Sequence, residues 1–293
     1  MRLLLTGAHG FTGRHLSKAA VAAGHEVLSF DADLTDPVAV AAAVEKIEPT
    51  HVLHLAAISA VTHGDAAELY AVNVVGTVNL LTAVRSVAAR TNCLERIVLA
   101  SSANIYGNAE HSPISESCAP SPVNHYACSK LAMEHMANTF ADSLPVVVAR
   151  PFNYTGPGHD ERFVIPKIVS AFARRADRIE LGNLDVEREF NDVRMVVAAY
   201  LGLLALGTVG EAYNICSGVG FSLRHVVATL ESLSGHQVEL ASNPAFVRAN
   251  EVVRLVGDPY KLHSIVGDLS VNDLSGLLAW MLQECSAFAT GQA

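Results

Sequence analysis

Positive charge is scarce in this sequence. Its 293 residues hold 20 Lys and Arg against 29 Asp and Glu, which gives a formal net charge of -9 and a pI near 5.8. Binding to nucleic acid requires clustered basic side chains that neutralise phosphates, and no such cluster occurs here. Nucleic acid is therefore not an expected partner, and any phosphate that the protein binds must be held by a local arrangement.

Cysteine is also sparse and unpatterned. The five cysteines, an odd number, lie far apart and never form a C-x-x-C pair. This spacing supports neither a disulfide framework nor a zinc site, and we expect no bound metal. Reduced thiols fit the cytoplasm, which is the expected location. The cysteines are Cys93, Cys118, Cys128, Cys216 and Cys285.

Long hydrophobic runs are missing as well. The run at residues 1–5 is far shorter than the core of a signal peptide. The most apolar later stretch, MVVAAYLGLLALG from Met195, is too short to span a bilayer and predicts a buried helix. We expect a soluble protein with no membrane partner, and its length suffices for one large domain or two intimate ones.

Short apolar runs alternate with amphipathic segments through the first half of the chain. The runs are rich in Val, Leu and Ile, which is typical of strands in a parallel sheet that helices cover on both faces. The pattern therefore predicts an α/β fold with a doubly wound parallel sheet. The predicted strands are RLLLT, HEVLSF, HVLHLAA, RIVLAS and LPVVVAR. The predicted helices are Phe11–Ala23, Pro37–Ile47, Glu68–Arg90 and Tyr126–Ala141.

Beyond about residue 155 the regular alternation of apolar runs and amphipathic segments is lost. Irregular inserts such as GNLDVEREFND separate shorter periodic pieces. We assign residues 1–155 to the first domain and residues 156–293 mainly to a smaller lobe, with some later segments returning to the first domain. Ligands of doubly wound sheets gather at the carboxyl ends of the strands, and we expect the smaller lobe to lie over those ends.

A glycine run, TGAHGFTG, stands at residues 6–13 between the first predicted strand and the first predicted helix. In this context Gly7, Gly10 and Gly13 can supply the tight turn, the close backbone approach and the helix packing that a bound pyrophosphate needs. The spacing G-x-x-G-x-x-G differs from the G-x-G-x-x-G of most dinucleotide-binding folds. With a strand before it and a helix after it, the motif predicts a dinucleotide site.

Asp31 ends the next predicted strand, about where an acid would meet an adenosine ribose hydroxyl. It can equally be a turn residue. No Arg or Lys occurs from His25 to Val44 to bind a 2′-phosphate, although Arg14 can reach one. NAD(H) is therefore favoured over NADP(H), which stays possible.

Tyr126 and Lys130 stand at positions i and i+4 of a predicted helix, so they share one face. An ammonium near the phenol would lower the tyrosine pKa toward neutrality, which suits proton exchange with a sugar or alcohol oxygen. Ser101 and Ser102 end a buried strand, where a hydroxyl can bond the reacting oxygen. We assign the catalytic roles to Ser102, Tyr126 and Lys130, and Lys130 can also hold a nicotinamide ribose.

Together these motifs resemble those of the extended short-chain dehydrogenases/reductases, the NAD-dependent epimerase/dehydratase family of sugar-nucleotide enzymes. The resemblance implies Rossmann architecture with a smaller α/β substrate-binding lobe, a nicotinamide dinucleotide, and a nucleoside-diphosphate sugar. It also implies a homodimer formed through the helices near residues 70–90 and 126–141. The matching elements run from residue 6 to about residue 261 and are TGAHGFTG, HLAA, NVVGTVNLL, SSANIYG, the Tyr126 and Lys130 pair, RPFNYTGPG, REFNDV and YNICSG.

The resemblance further implies which side chains line the two ligands. Asn104 and Asn153 are expected to contact the sugar together with Ser102. The expected cofactor-binding residues are Gly7, Gly10, Phe11, Thr12, Gly13, Asp31, Asp33, Leu34, Leu55, Ala56, Ala57, Asn73, Tyr126, Lys130 and Pro151.

The residues after Ser102 discriminate between the reactions of the family. Members that eliminate water carry acidic residues there, typically Asp-Glu, because elimination needs an extra acid and base. Members that epimerise at C3 and C5 carry Cys at the first of these positions. This chain has Ala103 and Asn104, so both reactions are disfavoured. The compact segment FDADLTDPVAV instead resembles 4-keto-6-deoxy sugar nucleotide reductases of the GDP and dTDP types.

The smaller lobe helps to choose the nucleotide. Its segment NPAFVRANEVVRLVGDPYKL resembles the R-P-x-E-V-x-x-L-x-G-D-x-x-K segment of GDP-mannose enzymes, with Ala249 in place of Pro. By this resemblance Arg188 and Arg248 contact the diphosphate, since guanidinium forks suit phosphate oxygens, and Glu251 contacts the ribose. Surface salt bridging is the alternative role for both arginines.

The expected activity is NAD(P)H-dependent reduction of the 4-keto group of a nucleoside-diphosphate 4-keto-6-deoxy hexose, with GDP-4-keto-6-deoxy-mannose as the expected substrate. A UDP-sugar 4-epimerase uses the same Ser, Tyr and Lys and stays open as an alternative. A non-catalytic module that senses NAD(H) or a sugar nucleotide also stays open, although Ser102, Tyr126 and Lys130 argue against it.

Overall fold

The computed structural model describes residues 1–59, 64–246, 252–269 and 273–289. In chain order the strands are β1 (Arg2–Thr6), β2 (Glu26–Phe30), β3 (His51–His54), β4 (Arg96–Ala100), β5 (Val146–Pro151), β6 (Tyr154–Thr155), β7 (Arg178–Leu181), β8 (Glu187–Arg188), β9 (Asn191–Asp192), β10 (Ala212–Ile215), β11 (Phe221–Ser222), β12 (Glu239–Ser242) and β13 (Arg254–Leu255).

Helices connect and cover these strands. In chain order they are α1 (Phe11–Ala22), α2 (Pro37–Ile47), α3 (Ala66–Tyr70), α4 (Gly76–Thr91), α5 (His125–Asn138), α6 (Val164–Ala173), α7 (Val193–Leu206), α8 (Leu223–Ser234), α9 (Tyr260–Val266) and α10 (Leu274–Ala289). A π-helical turn at Ala71–Val75 joins α3 to α4, and 3-10 turns occur at Ala103–Tyr106 and Pro244–Phe246.

Six strands form one parallel sheet in the order β2-β1-β3-β4-β5-β10. It contains the five strands that the first half of the sequence predicts, so the predicted doubly wound α/β fold is confirmed. Since β2 lies on one side of β1 and β3 on the other, the strand order reverses at β1. A crevice for ligands forms at such a reversal, outside the carboxyl ends of the strands.

The sheet is buried on both faces. In β1, Leu3 and Leu5 pack with α1 and α7, whereas Leu4 packs on the opposite face with α2, α4 and α5. All three are fully buried. The alternation follows from the two-residue period of a strand, and burial on both faces explains why the strand has no polar side. Burial of each leucine contributes roughly 1.5–3 kcal/mol.

The apolar stretch from Met195 belongs to α7, which is buried as predicted. Asp192 caps this helix by accepting from the N–H of Arg194 at 2.7 Å, and Tyr200 and Leu203 are fully buried against the sheet. The next strand, β10, pairs with β5. Segments well beyond residue 155 thus belong to the first sheet.

One continuous helical stretch, residues 66–91, is long and apolar enough by length and composition to cross a bilayer. It consists of α3, the π-helical turn and α4, and 44% of its most apolar window is buried inside the protein. Leu80 and Leu81 of this stretch are fully buried against the sheet. An apolar stripe of this kind is typical of a helix that packs on a core.

A further core forms where α6, α8 and α10 pack with β7. Short strands surround it: β12 pairs with β7, β6 with β9, and β8 lies between β11 and β13. The fully buried carboxylate of Glu189 ties this region together by accepting from the backbone N–H groups of Ser217 at 2.7 Å, Gly218 at 3.2 Å and Gly257 at 2.7 Å. These donors compensate the carboxylate for its lost hydration.

Candidate active site

The glycine run forms a tight loop between β1 and α1. Gly7 has a left-handed backbone with φ of 70°, which favours glycine, and a Cβ there would lie 2.9 Å from the backbone nitrogen of Ala56. A Cβ on Gly13 would collide with the carbonyl oxygen of Gly7. Strand, loop and helix therefore approach one another as closely as the motif predicts.

The N-terminus of α1 carries no side-chain cap. Gly10 occupies the cap position, whereas Asp36, Asn124 and Asp192 cap α2, α5 and α7. The first-turn N–H groups of α1 therefore combine free donor capacity with the positive end of the helix dipole. Such donors fit the pyrophosphate of a dinucleotide, and here they belong to Phe11, Thr12 and Gly13. The N–H of Gly10 donates instead to the carbonyl of Gly7 at 3.0 Å.

Asp31 lies exposed just after β2, where an adenosine ribose is expected. Ser29 donates to its Oδ1 at 2.8 Å, and a ring nitrogen of His9 lies 3.0 Å from the same oxygen. The hydrogen bond from Ser29, reinforced by His9, holds the pKa of Asp31 below its ordinary value, so the carboxylate is charged at neutral pH. Arg14, which could reach a 2′-phosphate, instead donates to the carbonyls of His9 at 2.8 Å and Gly158 at 3.0 Å.

The segment after β3 lies against the glycine loop. Ala56 donates its backbone N–H to the hydroxyl of Thr6, the last residue of β1, at 3.0 Å. Leu55 and Ala57 flank it and are half-buried. This contact brings the three predicted residues to the crevice beside β1.

Four other predicted cofactor residues have their own contacts within the protein. Asn73 is buried and holds Ile58, accepting from its N–H at 2.8 Å and donating to its carbonyl at 3.1 Å. The carboxylate of Asp33 accepts from the backbone and the hydroxyl of the residue two positions later, so it shapes the turn after β2. Leu34 is buried in the core, and Pro151 is buried at the end of β5. Their contacts with a cofactor stay predictions.

Tyr126 and Lys130 lie on the buried face of α5, the helix that Asn124 caps. The Lys130 ammonium donates to the carbonyl of Ala100, the last residue of β4, at 2.7 Å. Burial lowers the pKa of Lys130 to about 8, and the carboxylate of Glu134 offsets this in part. Lys130 is therefore close to the boundary between its charged and neutral forms at physiological pH.

The phenol of Tyr126 is buried and shares a hydrogen bond with Ser102. Burial raises the pKa of Tyr126 to about 12, and the bond with Ser102 offsets only part of this. The expectation that Lys130 lowers this pKa is not met, because the ammonium is bound to a strand carbonyl and desolvation of the phenolate dominates. Tyr126 is consequently a neutral phenol at physiological pH and can donate a proton.

Ser102 lies two residues beyond the end of β4 and caps the 3-10 turn Ala103–Tyr106. Its Oγ accepts from the backbone N–H of Asn104 at 3.2 Å and from the side-chain amide at 3.0 Å. Asn104 therefore bonds Ser102, and its contact with the sugar stays a prediction. Because both acceptor positions of Oγ are engaged, the Ser102 hydroxyl is directed to act as a donor. A donor beside Tyr126 suits a carbonyl or alkoxide oxygen.

Two further tyrosines that the motifs did not single out lie close to this site. The hydroxyl of Tyr154 shares a 2.8 Å hydrogen bond with Thr12 in the first turn of α1. Tyr200, on α7, is fully buried, and its hydroxyl has no hydrogen-bond partner within the described part of the chain. Burial, with Tyr154 and Tyr126 nearby, raises the pKa of Tyr200 well above its ordinary value. Tyr154 lies within the RPFNYTGPG motif, which is the sequence signal for its contact with the loop.

The predicted substrate residues are described only in part. Arg248 and Glu251 lie outside the described residues. Arg188, on β8, donates to the backbone carbonyl of Val253 at 3.2 Å, so its guanidinium lies beside the segment that follows residue 251. Asn153 is exposed between β5 and β6. Contacts of these residues with a nucleotide sugar stay predictions.

The sequence of residues 3–216 matches the family model described as the NAD dependent epimerase/dehydratase family. The chain belongs to this family. The matched range includes the glycine loop, Ser102, Tyr126 and Lys130. The protein is accordingly an enzyme of the extended short-chain dehydrogenase/reductase type, as the motifs predict.

Two curated members of the family resemble the chain over nearly its whole length. The GDP-6-deoxy-D-talose 4-dehydrogenase of Aggregatibacter actinomycetemcomitans is 37% identical over 273 residues, which cover 92% of each chain. The GDP-6-deoxy-D-mannose reductase of Pseudomonas aeruginosa is 35% identical over 282 residues, which cover 91% of each chain.

Solved structures of family members share the fold. A protein from Burkholderia cenocepacia J2315, described as a candidate epimerase, is 42% identical with a TM-score of 0.91 and coverage of 98% of both chains. RMD from Pseudomonas aeruginosa, in complex with NADPH, is 32% identical with a TM-score of 0.87 and the same coverage. The UDP-glucose 4-epimerase of Thermus thermophilus, in complex with NAD, is 28% identical with a TM-score of 0.85, covering 97% of this chain and 99% of that one. Two of these structures thus contain a nicotinamide dinucleotide, which is consistent with the cofactor that the glycine loop predicts.

The pKa of Lys130 predicts how cofactor binding depends on pH. If the ammonium holds the nicotinamide ribose, affinity for NADH is constant at lower pH and falls as pH rises through about 8, because the neutral amine loses a charge-assisted hydrogen bond. Fluorescence titration of NADH across neutral and alkaline pH measures this. Lys130→Arg is the matched variant, since a guanidinium stays protonated and should abolish the alkaline loss. A wild-type affinity that does not change with pH would contradict the role.

Asp31 is expected to set the preference for NADH, because a charged carboxylate repels a 2′-phosphate and accepts from a 2′-hydroxyl. Asp31→Ala should shift the ratio of the NADPH and NADH dissociation constants toward NADPH by about tenfold. The control is Asp185→Ala, which removes an exposed carboxylate paired with Arg224 and should leave the ratio unchanged. Tighter binding of NADPH by the wild type would refute this assignment.

Proposed function

We propose that the protein reduces the 4-keto group of a nucleoside-diphosphate 4-keto-6-deoxy hexose, namely GDP-4-keto-6-deoxy-mannose. The observation that carries this proposal is the buried, uncharged pair of Ser102 and Tyr126 at the carboxyl end of β4. Both hydroxyls can donate to one oxygen atom, and a ketone that becomes an alcohol requires this.

Proton delivery is the task of Tyr126. Reduction of a ketone adds a hydride to carbon and a proton to oxygen, and bound NADH or NADPH would supply the hydride. The phenol, with its pKa raised to about 12, keeps its proton until the substrate oxygen is basic enough to take it. Ser102 donates to the same oxygen and stabilises its developing negative charge. Lys130, as a cation, would hold the nicotinamide ribose beside this pair.

The turn after Ser102 supports reduction over elimination of water. Ala103 is fully buried, and the amide of Asn104 bonds Ser102. Neither residue offers the acid or base that removal of a hydroxyl needs. The turn therefore supports hydride chemistry without a dehydration step.

The names of the two curated relatives support a GDP-linked sugar. One is a 4-dehydrogenase of GDP-6-deoxy-D-talose, and the other is a reductase of GDP-6-deoxy-D-mannose. Talose and mannose differ only in their configuration at C4, so hydride exchange at C4 of one keto sugar relates the two compounds. On this basis we assign C4 as the reacting carbon and GDP as the nucleotide.

A UDP-sugar 4-epimerase is the second candidate, supported by the likeness to the Thermus thermophilus structure at 28% identity. An epimerase also uses Ser, Tyr and Lys, but it keeps its cofactor bound. The keto sugar turns over in the site, and the cofactor then returns the hydride to the opposite face of the same carbon. The two activities differ in their use of the cofactor. A reductase oxidises one molecule of NADH or NADPH in each turnover, whereas an epimerase causes no net oxidation.

The proposal includes NADH as the preferred reductant, the cytoplasm as the location and a homodimer as the assembly. The charged carboxylate of Asp31 supports NADH. Val75, at the end of the π-helical turn, and Met136, on α5, are 52% and 38% exposed. Apolar side chains left exposed on these helices support a subunit contact there.

Tyr126→Phe tests the proton donor. Turnover of GDP-4-keto-6-deoxy-mannose should fall by about a hundredfold or more, since general acid catalysis typically contributes that much. The NADH dissociation constant should change little, because the glycine loop is untouched. Rapid-mixing measurement of NADH absorbance gives the hydride-transfer rate. Tyr260→Phe, at a side chain that is 78% exposed, is the control and should match the wild type. A wild-type rate in Tyr126→Phe would exclude Tyr126 as the acid.

Calorimetric titration of the NADH-loaded protein with GDP, UDP and dTDP tests the nucleotide. GDP should bind about tenfold more tightly than the others, or about 1.4 kcal/mol. Arg188→Ala should weaken all three alike, because the proposed contact is to the diphosphate. Arg178→Ala, which opens an exposed pair with Glu180, should weaken none of them. Tighter binding of UDP would remove the GDP assignment and favour the epimerase.

A further inference from the structure

A buried ion pair lies next to the catalytic face of α5. Arg150, on β5, donates from Nε to Oε1 of Glu134 at 3.1 Å and from Nη2 to Oε2 at 2.7 Å. The side chains are 10% and 7% exposed, so water reaches little of the pair. Two parallel hydrogen bonds between a guanidinium and a carboxylate fix the mutual orientation of both groups.

Tyr106 extends this pair to the turn that carries Ser102. Nη1 of Arg150 donates to the Tyr106 hydroxyl at 2.9 Å, and the guanidinium carbon lies 5.3 Å from the centre of the tyrosine ring. The hydroxyl donates in turn to Oδ1 of Asn214, on β10, at 2.8 Å. Tyr106 is fully buried, so its position is determined by these partners and by the surrounding core.

The three side chains belong to elements that hold or adjoin the catalytic residues. Glu134 lies one helical turn beyond Lys130, on the same face of α5. Tyr106 ends the 3-10 turn that begins after Ser102. Arg150 stands on β5, the strand next to β4, and contacts both. The cluster therefore joins the helix, the turn and the strand.

Opposite charges are balanced within this cluster. Burial works against the charge of Arg150, but the hydrogen bonds and charge of Glu134 outweigh it and raise the pKa of the guanidinium above its ordinary value. Burial raises the pKa of Tyr106 to about 12, and Arg150 offsets part of the rise. The same carboxylate raises the pKa of Lys130 against the effect of burial. Glu134 thus stabilises the charged forms of both Arg150 and Lys130.

Stability alone is a weak explanation for a buried ion pair at this place. The attraction of two buried charges barely offsets the loss of their hydration, and a well-packed apolar pair of similar volume is often as stable. A buried pair is better explained where it sets a geometry or an electrostatic potential. Here both explanations apply, because the pair lies between the Ser102 turn and Lys130.

We propose that Glu134, Arg150 and Tyr106 form a positioning brace, which fixes the Ser102 turn against the catalytic face of α5 and keeps Lys130 cationic. Glu134 acts on Lys130 through its charge, Arg150 holds Glu134 and Tyr106 in place, and Tyr106 acts on Ser102 through the turn. The readouts that use turnover rest on the proposed function, whereas the readout that uses NADH binding rests only on the cofactor site.

The charged and titratable groups that face Lys130 come from more than one element. On α5 they are Tyr126, which is neutral, and Glu134. From β3 comes the imidazole of His54, whose pKa is lowered to about 3 by burial with help from Lys130, so the ring carries no charge. β4 contributes an uncharged carbonyl, and Arg150 on β5 is paired with Glu134. Glu134 is therefore the group whose removal should change the titration of Lys130.

Glu134→Gln tests the electrostatic half of the brace. It removes the negative charge that supports the Lys130 ammonium, so the pKa of Lys130 should fall below about 8. The pH at which half of the NADH affinity is lost should therefore move down by about one unit. Fluorescence titration of NADH on the full chain measures this without any sugar. An unmoved midpoint would overturn the proposal.

Tyr106→Phe tests the mechanical half, since it removes one hydroxyl and no charge. The value of kcat should fall about tenfold, because small displacements of a catalytic group lower turnover. The NADH dissociation constant and its alkaline midpoint should stay at their wild-type values. A wild-type kcat would overturn this half. If the wild-type protein reduces no 4-keto sugar, the proposed function fails, and the NADH midpoint of Glu134→Gln still decides on the brace.

The double variant Glu134→Met with Arg150→Met separates the brace from folding. Because both charged residues are replaced together, no unpaired charge stays buried and the fold should persist. The thermal unfolding midpoint of the variant measures whether it does. The folded variant should show a lower kcat and a lowered pH midpoint for NADH. Full activity with an unchanged midpoint would overturn the proposal. Arg90→Ala, which opens an exposed ion pair with Glu45 and Glu48, should leave every readout unchanged.

Discussion

The contact between the Lys130 ammonium and the carbonyl of Ala100, 2.7 Å long, holds the catalytic helix against the end of β4. The other features of the site depend on this contact. It lies on the buried face of α5, and burial moves the pKa of Lys130 down to about 8 and that of Tyr126 up to about 12. It also brings Tyr126 within hydrogen-bonding reach of Ser102, two residues beyond the end of β4.

Burial of this face selects the direction of proton transfer. A phenol whose anion is poorly solvated keeps its proton at neutral pH and is therefore an acid that delivers the proton late, to an alkoxide. Ser102 acts in the same sense, because Asn104 engages its acceptor positions and leaves its hydroxyl to donate. The site thus combines two neutral donors with an uncapped helix N-terminus that fits a dinucleotide. These properties suit ketone reduction, and they are shared by enzymes that reduce and reoxidise the same carbon.

Local spacing made much of this site predictable from the sequence. The glycine loop and the pair Tyr126 and Lys130 depend on the periods of a strand, a turn and a helix, which short segments determine by themselves. The sign of the pKa shift of Tyr126 was not predictable, because it depends on which group the Lys130 ammonium meets when α5 packs on the sheet. The sequence likewise did not predict that Arg150 pairs with Glu134 or that Thr12 bonds Tyr154. Tertiary packing brings these groups together, and local spacing does not indicate it.

The central claim is that the protein transfers hydride to C4 of a keto sugar and releases an oxidised cofactor. Incubation of the protein with GDP-4-keto-6-deoxy-mannose and nicotinamide-deuterated NADH or NADPH, followed by mass spectrometry and proton NMR of the sugar, tests this directly. One deuterium at C4 of a GDP-6-deoxy hexose is expected for each cofactor molecule oxidised. Turnover of UDP-glucose with no net cofactor oxidation, and no deuterium in the GDP sugar, would contradict it.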